Sequence, residues 1–104
     1  MIDRETAYQL ALATLSPPSY HMRERGDNLV IIESSIIEKD YGWVFFYNSK
    51  KFVETNNSRH FLVGNGPIVV EKADGSIHKL GTAGGAQHQI KLYEARRNKE
   101  NKGD

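Results

Sequence analysis

Tyr41-Gly42-Trp43-Val44-Phe45-Phe46-Tyr47 is the stretch that decides the fold. Five of its seven residues are aromatic, and aromatic and β-branched side chains favour strands. Side chains of a strand alternate between its two faces. Trp43, Phe45 and Tyr47 therefore share one face, and Val44 and Phe46 share the other. Both faces are apolar, which predicts a central strand covered on both sides, at least in part.

Outward from this run, other strands follow. Leu29 to Ile32 and Ile36-Ile37 cluster β-branched residues on its N-terminal side, separated by Glu33-Ser34-Ser35 as a bulge or an exposed stretch of one long strand. Glu38-Lys39-Asp40 is a charged turn. On the C-terminal side, Asn48 to Arg59 reads as a polar loop anchored by Phe52-Val53, followed by the short apolar Phe61-Leu62-Val63. Gly64-Asn65-Gly66-Pro67 is a turn, because Gly and Asn tolerate positive φ and Pro fixes the exit. Ile68 to Lys72 and Ile77 to Leu80 are strands joined across Ala73-Asp74-Gly75-Ser76, whose Asp-Gly pair closes tight hairpins.

Helices flank the strands. Asp3 to Leu15 has an N-cap at Asp3, an acid at Glu5 where the helix dipole favours it, and an apolar stripe of Tyr8, Ala11, Leu12 and Leu15. Ser16-Pro17-Pro18 stops it. After the glycine-rich link Gly81 to Gly85, the residues Gln87 to Arg97 form a second helix, with Ile90 and either Tyr93 or Leu92 facing inward. The order predicts an α+β domain over residues 1–95: an N-terminal helix, an antiparallel meander of about four or five strands, and a C-terminal helix packed on the sheet. With both helices on one face, the other face stays partly bare and becomes a candidate partner surface or homodimer interface. Residues 96–104 read as a charged, flexible tail.

Composition sets the outer limits. The chain has 104 residues, 14 Lys+Arg against 13 Asp+Glu, and no cysteine. One domain is expected. A net charge of +1 lacks the concentrated basic field of a nucleic-acid or membrane-surface binder. The tail's four basic and two acidic residues leave the body slightly acidic. Without cysteine there is no disulfide scaffold, thiol nucleophile or Cys-ligated zinc, and a reducing cytoplasm is the fitting compartment. The N-terminal residues do not read as a secretory signal, since Asp3 and Glu5 stand where basic residues belong.

Catalytic patterns are poor. His21, His60, His78 and His88 lie in different elements, without HExxH or His-x-His spacing. There is no Gly-x-Ser-x-Gly elbow. Glu33, Glu38, Asp40 and Glu54 read as charges on exposed faces. Gly64-Asn65-Gly66-Pro67 is not a phosphate loop, because it lacks the following Lys-Ser/Thr and leads into a strand. Gly81 to Gly85 does precede a helix, but with no lysine and no upstream parallel strand it reads as a pliable connection. No cofactor or metal is expected, and a small hydrolase survives only as a distant third reading.

Three segments carry a resemblance. Tyr41 to Tyr47 fits a "GWxF(x)Y" strand. Leu62 to Val70 fits an "L-x-G-N-x-P-hydrophobic" turn and strand, and Asp74 to Thr82 fits a "D/T-G-x-I/V-x-x-L-G-T" hairpin. In this order and spacing they resemble the immunity protein 35 family, which includes the YrhB-like proteins. The resemblance covers about residues 41–93. It implies a bacterial cytoplasmic protein that binds the C-terminal domain of a cognate polymorphic toxin and neutralises it without catalysis. Some YrhB-like members are described as small chaperone-like proteins, which gives the alternative: holding unfolded clients through an apolar sheet face. Gly42, Trp43, Gly64, Asn65, Pro67, Asp74, Gly75, Gly81 and Thr82 then read as fold determinants, since Gly, Asn and Pro set turn geometry. Contacts to a partner fall on loops. The expected contact residues are Glu38 and Asp40, whichever of Trp43 and Tyr47 is exposed, and Lys50, Lys51, Glu54 and Arg59.

Overall fold

A computed structural model describes residues 1–102. The elements run α1 (Arg4–Ala13), α2 (Tyr20–Glu24), β1 (Leu29–Ile31), β2 (Ile37–Lys39), β3 (Gly42–Phe45), β4 (Tyr47–Ser49), α3 (Lys50–Thr55), β5 (Ile68–Glu71), β6 (Ile77–Lys79) and α4 (Ala86–Lys102). Short 3-10 turns lie at Glu33–Ser35 and Ser58–His60. The α+β class holds, with six strands in two antiparallel sheets. One sheet has the order β2-β3-β5-β6, and the other pairs β1 with β4.

The aromatic run alternates as its pattern predicts. In β3, Trp43 lies opposite Val70, Val44 opposite Val69 and Phe45 opposite Ile68 on β5. Trp43, Phe45, Ile68 and Val70 pack with Ala7 and Ala11 of α1. Val44 and Val69 pack with Leu80 and with Ile90 and Tyr93 of α4. β3 is thus central and fully buried. Full burial of one such side chain is worth roughly 1.5–3 kcal/mol, so this pair of strands holds two cores together.

The helices do not share a face. α1 covers one side of the four-stranded sheet and α4 the other, so the bare apolar face expected of a one-sided arrangement is absent. α1 is capped by Asp3, whose Oδ1 accepts the Thr6 amide at 2.8 Å. The residues it buries are Ala7 and Ala11, small enough to bring the helix close to the strands. Leu12, expected in the inward stripe, faces solvent instead. In α4, Ile90 and Tyr93 face inward and Leu92 is exposed.

Four further expectations are corrected. The run does not form one strand: the chain leaves the first sheet after Phe45, and Tyr47–Ser49 pairs with β1 in the second. Phe46 is the joint, and its carbonyl accepts the Ile32 amide at 2.8 Å. The Glu33–Ser35 turn sends the chain from β1 in one sheet to β2 in the other, so no long strand spans it. The segment from Lys50 is a helix, because Ser49 Oγ caps it by accepting the Phe52 amide and Asn56, at φ 56°, ends it in the left-handed region. The expected tail is helical from Arg96 to Lys102, and only its Gly103 and Asp104 lie outside the described residues.

Gly42 explains itself by distance. A Cβ there would lie 2.1 Å from the Val70 carbonyl oxygen, which leaves no room for a side chain between β3 and β5.

Candidate functional site

The site begins with two buried or half-buried amides. Asn48 Oδ1 accepts the Leu62 amide at 3.0 Å, and its Nδ2 donates to the Leu62 carbonyl at 3.2 Å. Asn65 Nδ2 donates to the same carbonyl at 3.1 Å. Leu62 is therefore held by its backbone. Downstream, the Pro67 carbonyl accepts the Leu80 amide at 2.8 Å. A Cβ on Gly66 would lie 1.8 Å from the Leu80 carbonyl oxygen, so the loop can press against the end of β6 only with glycine there. Upstream, Phe61 packs edge-on against Phe52 of α3, with ring centroids 4.9 Å apart.

This clamp holds the backbone and leaves the side chains outside. Phe61 is 50% exposed and Val63 is 83% exposed. They wall an open groove of about 400 Å³, together with Ile32, Phe46, Tyr47 and Pro67. Gly81, Thr82, Gly85 and Ala86, where α4 begins, also line it. No lining residue carries a charge, although 26% of the chain is charged. An exposed, uncharged, aromatic-walled groove has the chemistry of a protein-docking surface.

α3, beside the groove, is anchored by Asp27. This side chain is 4% exposed. Its Oδ2 accepts Ser49 Oγ at 2.7 Å, and its Oδ1 accepts the amides of Lys51 at 3.0 Å and Asn28 at 2.9 Å. Burial works against the charge, but these hydrogen bonds and the nearby His60 outweigh it and hold the carboxyl below its ordinary pKa.

The expected contact residues divide between two places. Tyr47 lines the groove. Lys50, Lys51 and Glu54 lie on α3 and Arg59 in the following turn, with Lys51 half-buried and the others exposed. Glu38 and Asp40 are at the far end of β3, where Glu38 pairs with Lys72 at 3.0 Å. Trp43 is corrected: it is 4% exposed, because its side of β3 lies under α1, and it presents nothing to a partner. Its Nε1 has no hydrogen-bond partner, and Lys72 Nζ sits 5.1 Å from its ring centre. Among the residues read as fold determinants, Gly64, Asn65, Pro67, Gly81 and Thr82 come together as groove walls. Asp74 accepts the Ser76 amide in the β5–β6 turn. Phe61 and Val63 were missed as contacts, although their apolar triplet stands out directly before the Gly-Asn-Gly-Pro turn. Asp27 and Asn48 carried no signal at all.

A second crevice, of about 440 Å³, lies between β6 and α4 and includes Glu71, Ser76, His78, Tyr93 and Arg97. Glu71 is 9% exposed. It accepts a hydrogen bond from the Tyr93 hydroxyl and two-pronged donation from Arg97 Nε and Nη2 at 2.9–3.1 Å. Burial opposes its charge, but Arg97 and Tyr93 prevail and its pKa is lowered. Burial and then Glu71 push the Tyr93 hydroxyl well above its ordinary value. Arg97 also lies over the Tyr41 ring at 4.8 Å, and Tyr41 donates to Glu94. Both Glu71 oxygens are thus engaged in tethering α4. His78 Nε2 sits 3.2 Å from Ser76 Oγ, but among the described residues no hydrogen bond orients its other ring nitrogen, as a triad requires. No group of three or more His, Asp or Glu residues is placed to hold a metal among the described residues. No described helix is long and apolar enough to cross a membrane.

Comparison with known proteins agrees with the resemblance. The uncharacterized protein YrhB of Escherichia coli (strain K12) is 36% identical over 56 residues, which are 54% of this chain and 60% of YrhB. The chain thus matches less than two thirds of that relative's length. No solved structure matches. The family model for immunity protein 35 matches residues 7–92, reaching from α1 through the groove residues into α4, and by this match the chain belongs to the immunity protein 35 family.

Proposed function

We propose that this protein neutralises a cognate bacterial toxin domain by docking on it through the groove and occluding its active site. It acts in the cytoplasm and makes or breaks no covalent bond. One observation carries the reading: Phe61 and Val63 stand in water on a groove without a charged wall, while Asn48 and Asn65 hold their backbone. Apolar side chains left exposed on an uncharged groove mark an interaction site, and a partner accounts for them. Family membership supports a protein partner of the toxin class.

The alternative, a chaperone-like holder of unfolded clients, needs a broad apolar sheet face. Helices α1 and α4 cover both faces of the larger sheet, which favours the toxin reading. The test is co-expression with the toxin domain encoded beside this gene. The unaltered protein restores growth, Val63→Asp weakens toxin binding by about tenfold or more, and Glu5→Gln, on the exposed side of α1, leaves it unchanged. Failure of the unaltered protein to bind or to restore growth sinks the proposal. So does broad suppression of light scattering by a heat-labile client.

A further inference from the structure

The clamp on Leu62 demands two residues whose succession has a chemical consequence. Position 65 needs an amide, because its Nδ2 donates to the Leu62 carbonyl at 3.1 Å and approaches the Tyr47 carbonyl at 3.5 Å. Position 66 needs glycine, because a Cβ there would lie 1.8 Å from the Leu80 carbonyl oxygen. Together they make Asn65-Gly66, the only asparagine in the chain that is followed by glycine. A glycine amide is the least hindered nitrogen that can attack the side chain before it, since no Cβ stands in its way. The Gly66 amide donates to no backbone acceptor among the described residues, and Asn65 is half-buried on the wall of the open groove, within reach of water. Asn48-Ser49 is the contrast. Asn48 is buried, and the Ser49 amide is fixed on Asn48 Oδ1 at 2.8 Å.

We propose that Asn65 is a deamidation site gated by the clamp, and that its conversion releases the groove loop. The Gly66 nitrogen, having lost its proton to hydroxide, forms a bond to Asn65 Cγ. The Cγ–Nδ2 bond breaks, and Nδ2 takes a proton from water and leaves as ammonia, which regenerates the hydroxide. Water then opens the five-membered imide. Opening at Cγ leaves aspartate; opening at the main-chain carbonyl carbon leaves isoaspartate, with the chain running through Cγ. One water is consumed, one ammonia is released, and nothing is oxidised or reduced. While the clamp is closed, Nδ2 is engaged by Leu62 and Gly66 is pressed against Leu80, so attack waits on local opening of the loop. The product does not close again. A carboxylate oxygen, which only accepts, replaces the donor between two carbonyl oxygens, and isoaspartate adds a main-chain atom where there is no slack. Only Asn48 then grips Leu62, and Phe61 and Val63 lose their fixed placement. The chemistry asks only for water and is independent of what the groove binds.

The full chain is aged at mildly alkaline pH beside the end-blocked peptide Leu-Val-Gly-Asn-Gly-Pro-Ile. Both are followed by peptide mass spectrometry, with isoaspartate detected by isoaspartyl methyltransferase labelling. The amide-to-acid mass gain is expected at Asn65 before any other asparagine, as a mixture of aspartate and isoaspartate, and about tenfold to a hundredfold slower in the chain than in the peptide. Asn48→Ala, its fold checked by circular dichroism, narrows that gap; if it unfolds, urea below the unfolding midpoint of the unaltered chain serves instead. Asn65→Asp speeds hydrogen exchange of the Leu62 amide by about fivefold or more and leaves β3 and β5 as they were. An intact Asn65 after roughly a hundred peptide half-lives, or earlier conversion at another asparagine, overturns the site. Equal rates in chain and peptide, or a gap that loosening the clamp does not narrow, overturn the gate. Unchanged exchange at Leu62 in Asn65→Asp overturns the release.

Discussion

Asp27 illustrates what a single residue does here. It sits in an otherwise charged and polar stretch, Arg23 to Asn28, that reads as surface. In the fold its carboxylate ties together donors that follow it by up to 24 residues: Ser49 Oγ and the Lys51 amide. Replacing it strands buried donors, at about 1–3 kcal/mol for each. Asp27→Ala is expected to destabilise by at least about 2 kcal/mol, measured by urea unfolding. A loss below about 0.5 kcal/mol contradicts the role. No sequence pattern marks this residue, because its burial depends on chain that returns from far away. Trp43 is the converse. Alternation along the run places it on one face with Phe45, but does not tell that α1 seals that face or that its indole N–H finds no acceptor.

At the scale of elements, α4 is the informative case. Past Tyr93 its sequence is almost wholly polar, which reads as a fraying tail. The helix persists because Arg97 reaches Glu71 and lies over Tyr41, and Glu94 takes Tyr41 and Lys39. These are side-chain tethers and leave no trace in hydrophobic periodicity. They do leave a trace in pH. The lowered pKa of Glu71 means that its stabilisation is present above the ordinary carboxylate value and is lost as pH falls through the lowered one. Glu71→Gln is expected to cost about 1–3 kcal/mol at pH 7, and the gap to the unaltered protein should close as thermal melts are repeated below about pH 4. A gap that stays constant to pH 2 removes Glu71 as the tether. The hairpin β5–β6 is the opposite sort of element, fully legible, because its Asp-Gly turn and its alternation are local. α3 was illegible for a similar local reason: six residues between Asn-rich flanks carry no periodicity, and the Ser49 cap shows only in three dimensions.

In the molecule as a whole, two cores meet at one pair of strands. Val44, Phe45, Ile68, Val69 and Val70 are the most buried residues of the larger sheet, and the smaller sheet has only two strands. Hydrogen exchange should therefore be slowest in β3 and β5, and about tenfold or more faster in β1, β4 and α3. Slower exchange in the smaller sheet contradicts this order. The overall class was readable because period-two and helical patterns are strong at both ends and at the centre. What stayed hidden was the break after Phe45: one change of backbone direction among consecutive aromatics has no composition of its own. The groove exists because of that break, since it carries Phe46 and Tyr47 away from the larger sheet and toward Phe61.

The grip on Leu62 has an implication for variation. Asn48 and Asn65 hold only main-chain atoms, so the identity of the neighbouring side chains is of little account to the scaffold. Val63, and to a lesser degree Phe61, can be exchanged for residues of other shape while the frame stays put. New specificities could be written at two positions of one loop, leaving the machinery that presents them untouched.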